Sequence, residues 1–209
     1  MIQAPFTLIL SGATGSGKTQ WLLKFLRYNQ RLIVPPPAQV LYCYGEVNPA
    51  VLELRQQQKE LALEVYHGVP DVEKIKEKDK PLLLILDDLM LNMSNNFLDL
   101  LFTRGSHNWN VSVVFVTQSL YGRNIRTARS NAHLLVLMRN PSGQLQIRTI
   151  GSQLFPGRLG YFMDAYQDAT KEPFSYLVIN MHPNTAEEHR LTSKIFPNEQ
   201  MEIYLPTDQ

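Results

Sequence analysis

FTLILSGATGSGKT, residues 6–19, joins an apolar, β-prone run to a glycine-rich turn, and residues 21–26 then show the apolar spacing of a helix. Glycines let the backbone fold tightly around phosphate oxygens while its N–H groups point inward, and the positive end of the helix dipole adds to the attraction. The spacing G-x-x-x-x-G-K-[S/T] therefore predicts a strand, a phosphate-binding loop and a helix. The predicted loop consists of Gly12, Ala13, Thr14, Gly15, Ser16, Gly17, Lys18 and Thr19.

The last two residues of this loop carry the side chains that would handle a nucleoside triphosphate. Lys18 is expected to reach the β- and γ-phosphates, and the Thr19 hydroxyl is expected to bind Mg²⁺. The sequence therefore predicts a site for ATP and Mg²⁺.

Two further apolar strands are predicted to end in polar side chains. Residues 81–86 run into Asp87 and Asp88, and residues 112–117 run into Gln118. Because ligands of an open α/β sheet lie outside the carboxyl ends of its strands, we expect these groups and the phosphate loop to converge. The carboxylate pair, costly to bury without a metal, resembles the second motif of phosphate-loop NTPases. In that motif Asp87 would hold Mg²⁺ and Asp88 would polarise the attacking water. The other strand looks like the extra strand of RecA-like ATPases, where Gln118 would sense the γ-phosphate.

Length and composition predict one α/β domain that spans residues 1–209. The chain has 209 residues, of which 44% are hydrophobic, and these suffice for a substantial core. Its longest aliphatic run, residues 82–86, is far too short to span a membrane, and the first residues lack the basic start of a secretory signal. We therefore expect a soluble, intracellular protein.

The single cysteine, Cys43, excludes an internal disulfide, and its apolar surroundings predict a buried, inert thiol.

The net charge of +1 hides an uneven distribution of charge along the chain. Residues 100–163 contain no Asp or Glu, whereas the rest of the chain is net negative. Such a block predicts a positive surface for the phosphates of nucleotide or nucleic acid, the alternative being arginines spread over separate solvated faces. The block contains seven arginines: Arg104, Arg123, Arg126, Arg129, Arg139, Arg148 and Arg158.

Three stretches make a family resemblance specific, namely FTRGSHN at 102–108, SVVFVTQS at 112–119 and NAHLLVL at 131–137. They resemble the genome-packaging ATPases of the FtsK/HerA superfamily, in the form found in large DNA viruses and Maverick/Polinton elements. The likeness covers nearly the whole chain. Further matching stretches lie at residues 5–6, 42–46, 86–90, 155–157, 168–170 and 176–179.

This resemblance implies a RecA-like P-loop domain with an additional strand, whose mainly parallel sheet is flanked by helices. It implies a homo-oligomeric ring, a pentamer or hexamer, that hydrolyses ATP to move double-stranded DNA into a capsid at its portal vertex. Arg104 would reach the γ-phosphate held by a neighbouring subunit. Arg123, Arg126 and Arg129 are expected to contact DNA, because their spacing would place them near one another on a helix. The protein would work in the host cytoplasm or nucleus, with transient residence at the capsid and no membrane.

Two alternatives stay open at this point. Many relatives have Glu where this chain has Asp88, so Glu46, at the end of another predicted strand, is a rival for the base that activates water. The function also has rivals: a cellular ATPase that pumps DNA in conjugation or partition, and a nucleotide-dependent assembly scaffold with little turnover.

Overall fold

A computed structural model describes residues 1–59, 61–122 and 125–206, and within these residues a nine-stranded sheet forms the centre of the molecule. The strands are β1 (Ile2–Gln3), β2 (Thr7–Ser11), β3 (Ile33–Val34), β4 (Gln39–Tyr44), β5 (Leu63–His67), β6 (Leu82–Asp87), β7 (Val111–Thr117), β8 (Leu134–Met138), β9 (Tyr176–Asn180), β10 (Leu191–Ser193) and β11 (Glu202–Ile203). The helices are α1 (Lys18–Leu32), α2 (Pro49–Gln56), α3 (Val72–Lys76), α4 (Asn95–Leu100), α5 (Ser106–Asn108), α6 (Arg126–Ser130), α7 (Gln144–Leu154) and α8 (Leu159–Ala169). A π-helical turn, Leu101–Gly105, joins α4 to α5, and two short 3-10 turns occupy Pro141–Gly143 and Glu187–His189.

The strands of the large sheet lie in the order β11-β10-β9-β8-β2-β7-β6-β4-β5. The six strands from β8 to β5 run parallel to their neighbours, whereas β9, β10 and β11 add an antiparallel edge. β1 and β3 form a separate parallel pair. The carboxyl ends of β2, β6 and β7 therefore meet at one edge of the sheet, which is where the sequence predicts the nucleotide site.

Two apolar layers hold this sheet from its two faces. Leu8 and Leu10 of β2 pack in one layer with Phe25 of α1, whereas Ile9 packs in the other layer with Phe162 of α8. Every residue of β2, β6 and β7 is buried, as expected for the centre of a parallel sheet covered on both sides. Cys43 is fully buried, as predicted, and burial raises the pKa of its thiol to about 12.

Most predicted elements are present, and the differences have local causes. Pro49 suits the first turn of a helix and predicts one through about Lys59, but α2 ends at Gln56, where the Gln57 N–H donates to the Leu54 carbonyl. The apolar spacing of residues 95–102 predicts one helix, which changes to π-helical geometry at Leu101. The strands β1, β3, β10 and β11 were not predicted, because each has only two or three residues and owes its conformation to its partner strand. Among the described residues, no helix has both the length and the apolar character needed to cross a bilayer.

Candidate active site

The phosphate loop connects β2 to α1 and contains two glycines in the left-handed region of backbone conformation. Gly15 has φ 76° and Gly17, which precedes the first residue of α1, has φ 100°. Other residues adopt such angles only at a cost, so both positions favour glycine. The loop therefore folds back before α1 and directs the first N–H groups of that helix toward the cleft.

Lys18 points back into its own loop. Its Nζ donates hydrogen bonds to the carbonyl oxygens of Gly12 at 2.7 Å and Ala13 at 2.9 Å. Burial lowers the pKa of Lys18, while the nearby carboxylates of Asp87 and Asp88 act in the opposite direction and raise it. The cation thus lies between the loop and the carboxylates, in a position to exchange carbonyl oxygens for phosphate oxygens.

Asp87 ends β6 as a buried carboxylate, with 8% of the residue exposed. The Tyr42 hydroxyl of neighbouring β4 donates a hydrogen bond of 2.5 Å to its Oδ2. Burial raises the pKa of Asp87 and Asp88 adds to that rise, whereas the Tyr42 hydrogen bond and the charge of Lys18 oppose it. A carboxylate that is this poorly solvated gains from a cation beside it.

Asp88 differs from Asp87 in backbone and in exposure. It is exposed and adopts φ 54°, uncommon for a residue other than glycine. Its carbonyl lies against Gly45, where a Cβ would come within 2.1 Å of that oxygen. The tight approach of the two turns directs the chain after β6 across the end of β4. Glu46, the rival base, is exposed and does not line the cleft that contains Asp88.

Gln118 follows β7 at the same edge of the sheet. It is exposed, and its Oε1 accepts a hydrogen bond of 3.3 Å from the Thr14 hydroxyl of the phosphate loop. The chain beyond it is held by Gln146 of α7, whose Oε1 accepts from the Leu120 N–H at 3.2 Å. Gln118 therefore lies on a supported loop that touches the phosphate loop.

These groups surround one cleft of about 600 Å³. It brings together most of the predicted phosphate, metal and catalytic residues, while a larger cavity of about 730 Å³ beside Tyr161 and Tyr204 contains none of them. Sequence reasoning did not single out Asn48 and Phe174 in its lining, or Tyr42 behind Asp87. The cleft is lined by Thr14, Gly15, Gly17, Lys18, Thr19, Gln20, Asn48, Asp87, Asp88, Met90, Leu91, Val116, Thr117, Gln118, Ser119 and Phe174.

Thr19 and Asp87 offer a hydroxyl and a carboxylate to the same cleft, and these oxygen ligands suit Mg²⁺. The buried charge of Asp87 fits a cation as well. No group of three or more His, Cys, Asp or Glu residues that could hold a metal occurs in the described ranges. Thr19 and Asp87 would supply two ligands to Mg²⁺, which commonly takes its remaining ligands from phosphates and water.

The arginines assigned to a neighbour or to DNA lie outside the cleft. Arg104 is exposed on the π-helical turn. Arg126 is exposed at the start of α6, whereas the Arg129 guanidinium lies 4.2 Å from the centre of the Tyr121 ring and donates to the Leu120 carbonyl. Arg123 lies outside the described residues. The two described members of the predicted DNA-binding set thus share one helix and line one cavity, but Arg129 contacts Tyr121 and Leu120, whereas Arg126 is exposed.

Solved structures with the same fold support this description of the sheet. The genome packaging NTPase B204 from Sulfolobus turreted icosahedral virus 2, in complex with ATP-gammaS, is similar with a TM-score of 0.55 and 13% identity over 97% of this chain and 98% of that chain. The sulfate complex of B204 gives a TM-score of 0.53 at 13% identity, with 98% of both chains covered. A KaiC-like protein, PH0186, from Pyrococcus horikoshii OT3 gives 0.54 at 14% identity, with 97% and 91% covered. These likenesses confirm the predicted RecA-like P-loop fold.

Sequence comparison places the chain in a family. The search of curated proteins found no significant match. The family described as Poxvirus A32 protein matches residues 1–142, more than half of the chain. The chain therefore belongs to the Poxvirus A32 protein family, and the predicted resemblance to viral genome-packaging ATPases is confirmed.

Proposed function

We propose that this chain is an ATP-hydrolysing motor of the FtsK/HerA type that moves double-stranded DNA and packages a viral genome into a capsid. One observation carries the proposal: a single cleft gathers Lys18 and Thr19 of the phosphate loop with the strand-end groups Asp87, Asp88 and Gln118. Phosphoryl transfer depends on positioning and charge stabilisation, and these residue types supply both. Membership of the Poxvirus A32 protein family supports the viral assignment.

The chain's own residues suggest an order of events. Lys18 gives up the Gly12 and Ala13 carbonyls and binds the β- and γ-phosphates. Thr19 and Asp87 would hold Mg²⁺, which would offset the charge that builds up on the phosphate oxygens. Asp88 accepts a proton from the water that attacks the γ-phosphorus, as the bond to the ADP oxygen breaks. Gln118 releases the Thr14 hydroxyl that its Oε1 accepts from and donates a hydrogen bond from its side-chain amide N–H to the γ-phosphate, so that the end of β7 senses the bound triphosphate.

The proposal includes a ring of identical subunits, a pentamer or hexamer. Arg104 is exposed and absent from the lining of its own cleft, which suits a residue that acts on a neighbouring subunit. Duplex DNA would contact exposed arginines of the block such as Arg126, and the ring would work at the portal vertex of a capsid in the host cytoplasm or nucleus. Phosphate contacts of this kind carry no sequence preference, as a packaging motor requires.

ATP turnover with and without duplex DNA tests the proposal. The wild type should hydrolyse ATP in the presence of Mg²⁺ and do so faster with duplex DNA. Lys18→Ala should abolish turnover, because it removes the cation that lies beside the predicted phosphate site, whereas Lys59→Ala, at an exposed position outside the cleft, should leave it unchanged. Turnover of Lys18→Ala within a few-fold of wild type would contradict the site. Stable nucleotide binding with negligible, DNA-independent turnover would instead favour a scaffold.

A further inference from the structure

Phe174 lies in the loop between α8 and β9 and has a backbone conformation that phenylalanine rarely adopts. Its φ is 63°, and 52% of the residue is exposed. A bulky residue in the left-handed region is an outlier, and such strain persists only where surrounding structure holds it. Here the turn is held by Ser175, whose N–H and hydroxyl both donate to the Glu172 carbonyl, at 3.3 and 2.7 Å. Because half the residue remains exposed, hydrophobic burial within the chain accounts poorly for this arrangement.

The ring packs against the phosphate loop itself. A Cβ placed on Gly17 would come within 2.7 Å of Phe174 Cδ1 and 2.9 Å of its Cβ. Gly17 is therefore required twice, once for its φ of 100° and once for the close approach of Phe174. The contact places the Phe174 side chain at the edge of the predicted triphosphate site, whose cleft it lines.

Phe174 also separates two cavities. It lines the nucleotide cleft and a neighbouring cavity of about 480 Å³ that lies beside the first turns of α1, and Gln20 lines both. Gln20 follows Thr19 in α1 and lines both cavities with Phe174, so a triphosphate with its β- and γ-phosphates at Lys18 has space to extend past Thr19 toward Gln20 and Phe174. The two cavities thus leave room for a nucleoside beside the Phe174 side chain.

We propose that Phe174 is the stacking platform for the base of the bound nucleotide. This inference rests on the proposed function, because it assumes that the loop binds a triphosphate. An aromatic face stacks on every base, and a single base–aromatic contact contributes about 1–3 kcal/mol, which corresponds to about 5- to 150-fold in affinity. Phe174 therefore supplies affinity for the nucleoside without selecting the base.

Binding of ATP and of inorganic tripolyphosphate, compared by calorimetry with Mg²⁺ present, tests this role. Tripolyphosphate has the phosphates but no base. Phe174→Gly removes the ring and accepts the same backbone angle without strain, so it should weaken ATP binding by about 5- to 150-fold and leave tripolyphosphate affinity unchanged. Phe174→Tyr keeps an aromatic face and should retain the ATP affinity. Leu145→Ala, at an exposed apolar position on α7 outside both cavities, is the matched control and should change neither affinity.

The outcomes separate this inference from the function on which it rests. If the wild type binds neither ligand, both the proposed function and the stacking role are wrong. If the wild type binds both, and Phe174→Gly weakens both by the same factor, Phe174 only supports the phosphate loop at Gly17. An unchanged ATP affinity in Phe174→Gly would likewise overturn the stacking role while leaving the nucleotide site intact.

Discussion

Asp87 is buried beside Tyr42 and has a pKa raised above its unfolded value of 3.8, chiefly because burial disfavours its charged form. The folded state therefore binds this proton more tightly than the unfolded state does, so the carboxyl favours folding at low pH and this contribution is lost as pH rises through the folded pKa. Burial of this carboxyl thus lowers the stability of the free protein at neutral pH relative to a neutral side chain of the same shape. This is the kind of cost that a functional cation would remove.

Asp87→Asn should therefore stabilise the nucleotide-free protein at neutral pH while abolishing ATP turnover. The amide oxygen can still accept the Tyr42 hydrogen bond but carries no charge. In urea unfolding with a chelator and no nucleotide, the gain over wild type should be largest above the folded pKa of Asp87 and should vanish as pH falls toward 3.8. Asp79→Asn, at an exposed position, is the control and should show no such gain. A variant less stable than wild type at neutral pH would show that the charge is already compensated.

Asp88 and Glu46 compete for the role of general base, and their surroundings differ. Asp88 lines the cleft, whereas Glu46 does not. Asp88→Asn should retain ATP binding and lose about 10²–10⁴-fold in single-turnover rate, while Glu46→Gln should be mild. Rates that collapse only in Glu46→Gln would reverse the assignment.

The sequence predicts DNA contact for both Arg126 and Arg129 of helix α6, whereas the structure gives the two side chains different contacts. Arg126 is exposed, whereas Arg129 stacks on Tyr121 and holds the Leu120 carbonyl. Arg126→Ala should lower the slope of log affinity for duplex DNA against log salt by about 0.9 and leave stability unchanged. Arg129→Ala should instead cost about 1–2 kcal/mol in urea unfolding, because a hydrogen bond and a cation–π contact are lost. A salt slope that Arg126→Ala leaves unchanged would assign this helix to subunit contacts or solvation.

The elements around the site could be predicted because their signals are local. The apolar runs of β4, β6 and β7 are interrupted by polar residues where the strands end, and the loop before α1 has a fixed glycine spacing. The remaining features depend on distant contacts. Tyr42 looks like any buried strand residue until β4 is paired with β6, and the position of Phe174 depends on how the turn before β9 meets Gly17. Short edge strands such as β10 have no pattern of their own and form against β9.

The cleft lies at one edge of the sheet, where the strands β2, β6 and β7 end. Arg104 is exposed and does not line this cleft. If Arg104 acts on a neighbouring subunit, as we propose, a subunit alone lacks an arginine that would stabilise the transferring phosphoryl group, a contribution of about 10³–10⁵ in turnover. Turnover per subunit should therefore rise with protein concentration. Lys18→Ala subunits keep Arg104 and Arg104→Ala subunits keep the loop, so mixing two inactive variants should restore part of the activity. Mixtures that co-assemble by mass measurement yet stay inactive would place Arg104 in a role within its own subunit.

Movement of the protein along duplex DNA is the central claim, and displacement of a third strand measures it directly. A labelled oligonucleotide bound as a triplex on a linear duplex is stripped only when a motor travels through it. The wild type should release the third strand with ATP and Mg²⁺, whereas it should not do so with a non-hydrolysable analogue, and Lys18→Ala should not do so with ATP. If the wild type hydrolyses ATP at its full DNA-stimulated rate while the third strand stays bound, the protein is an ATPase that does not translocate, and the account of a packaging motor is contradicted.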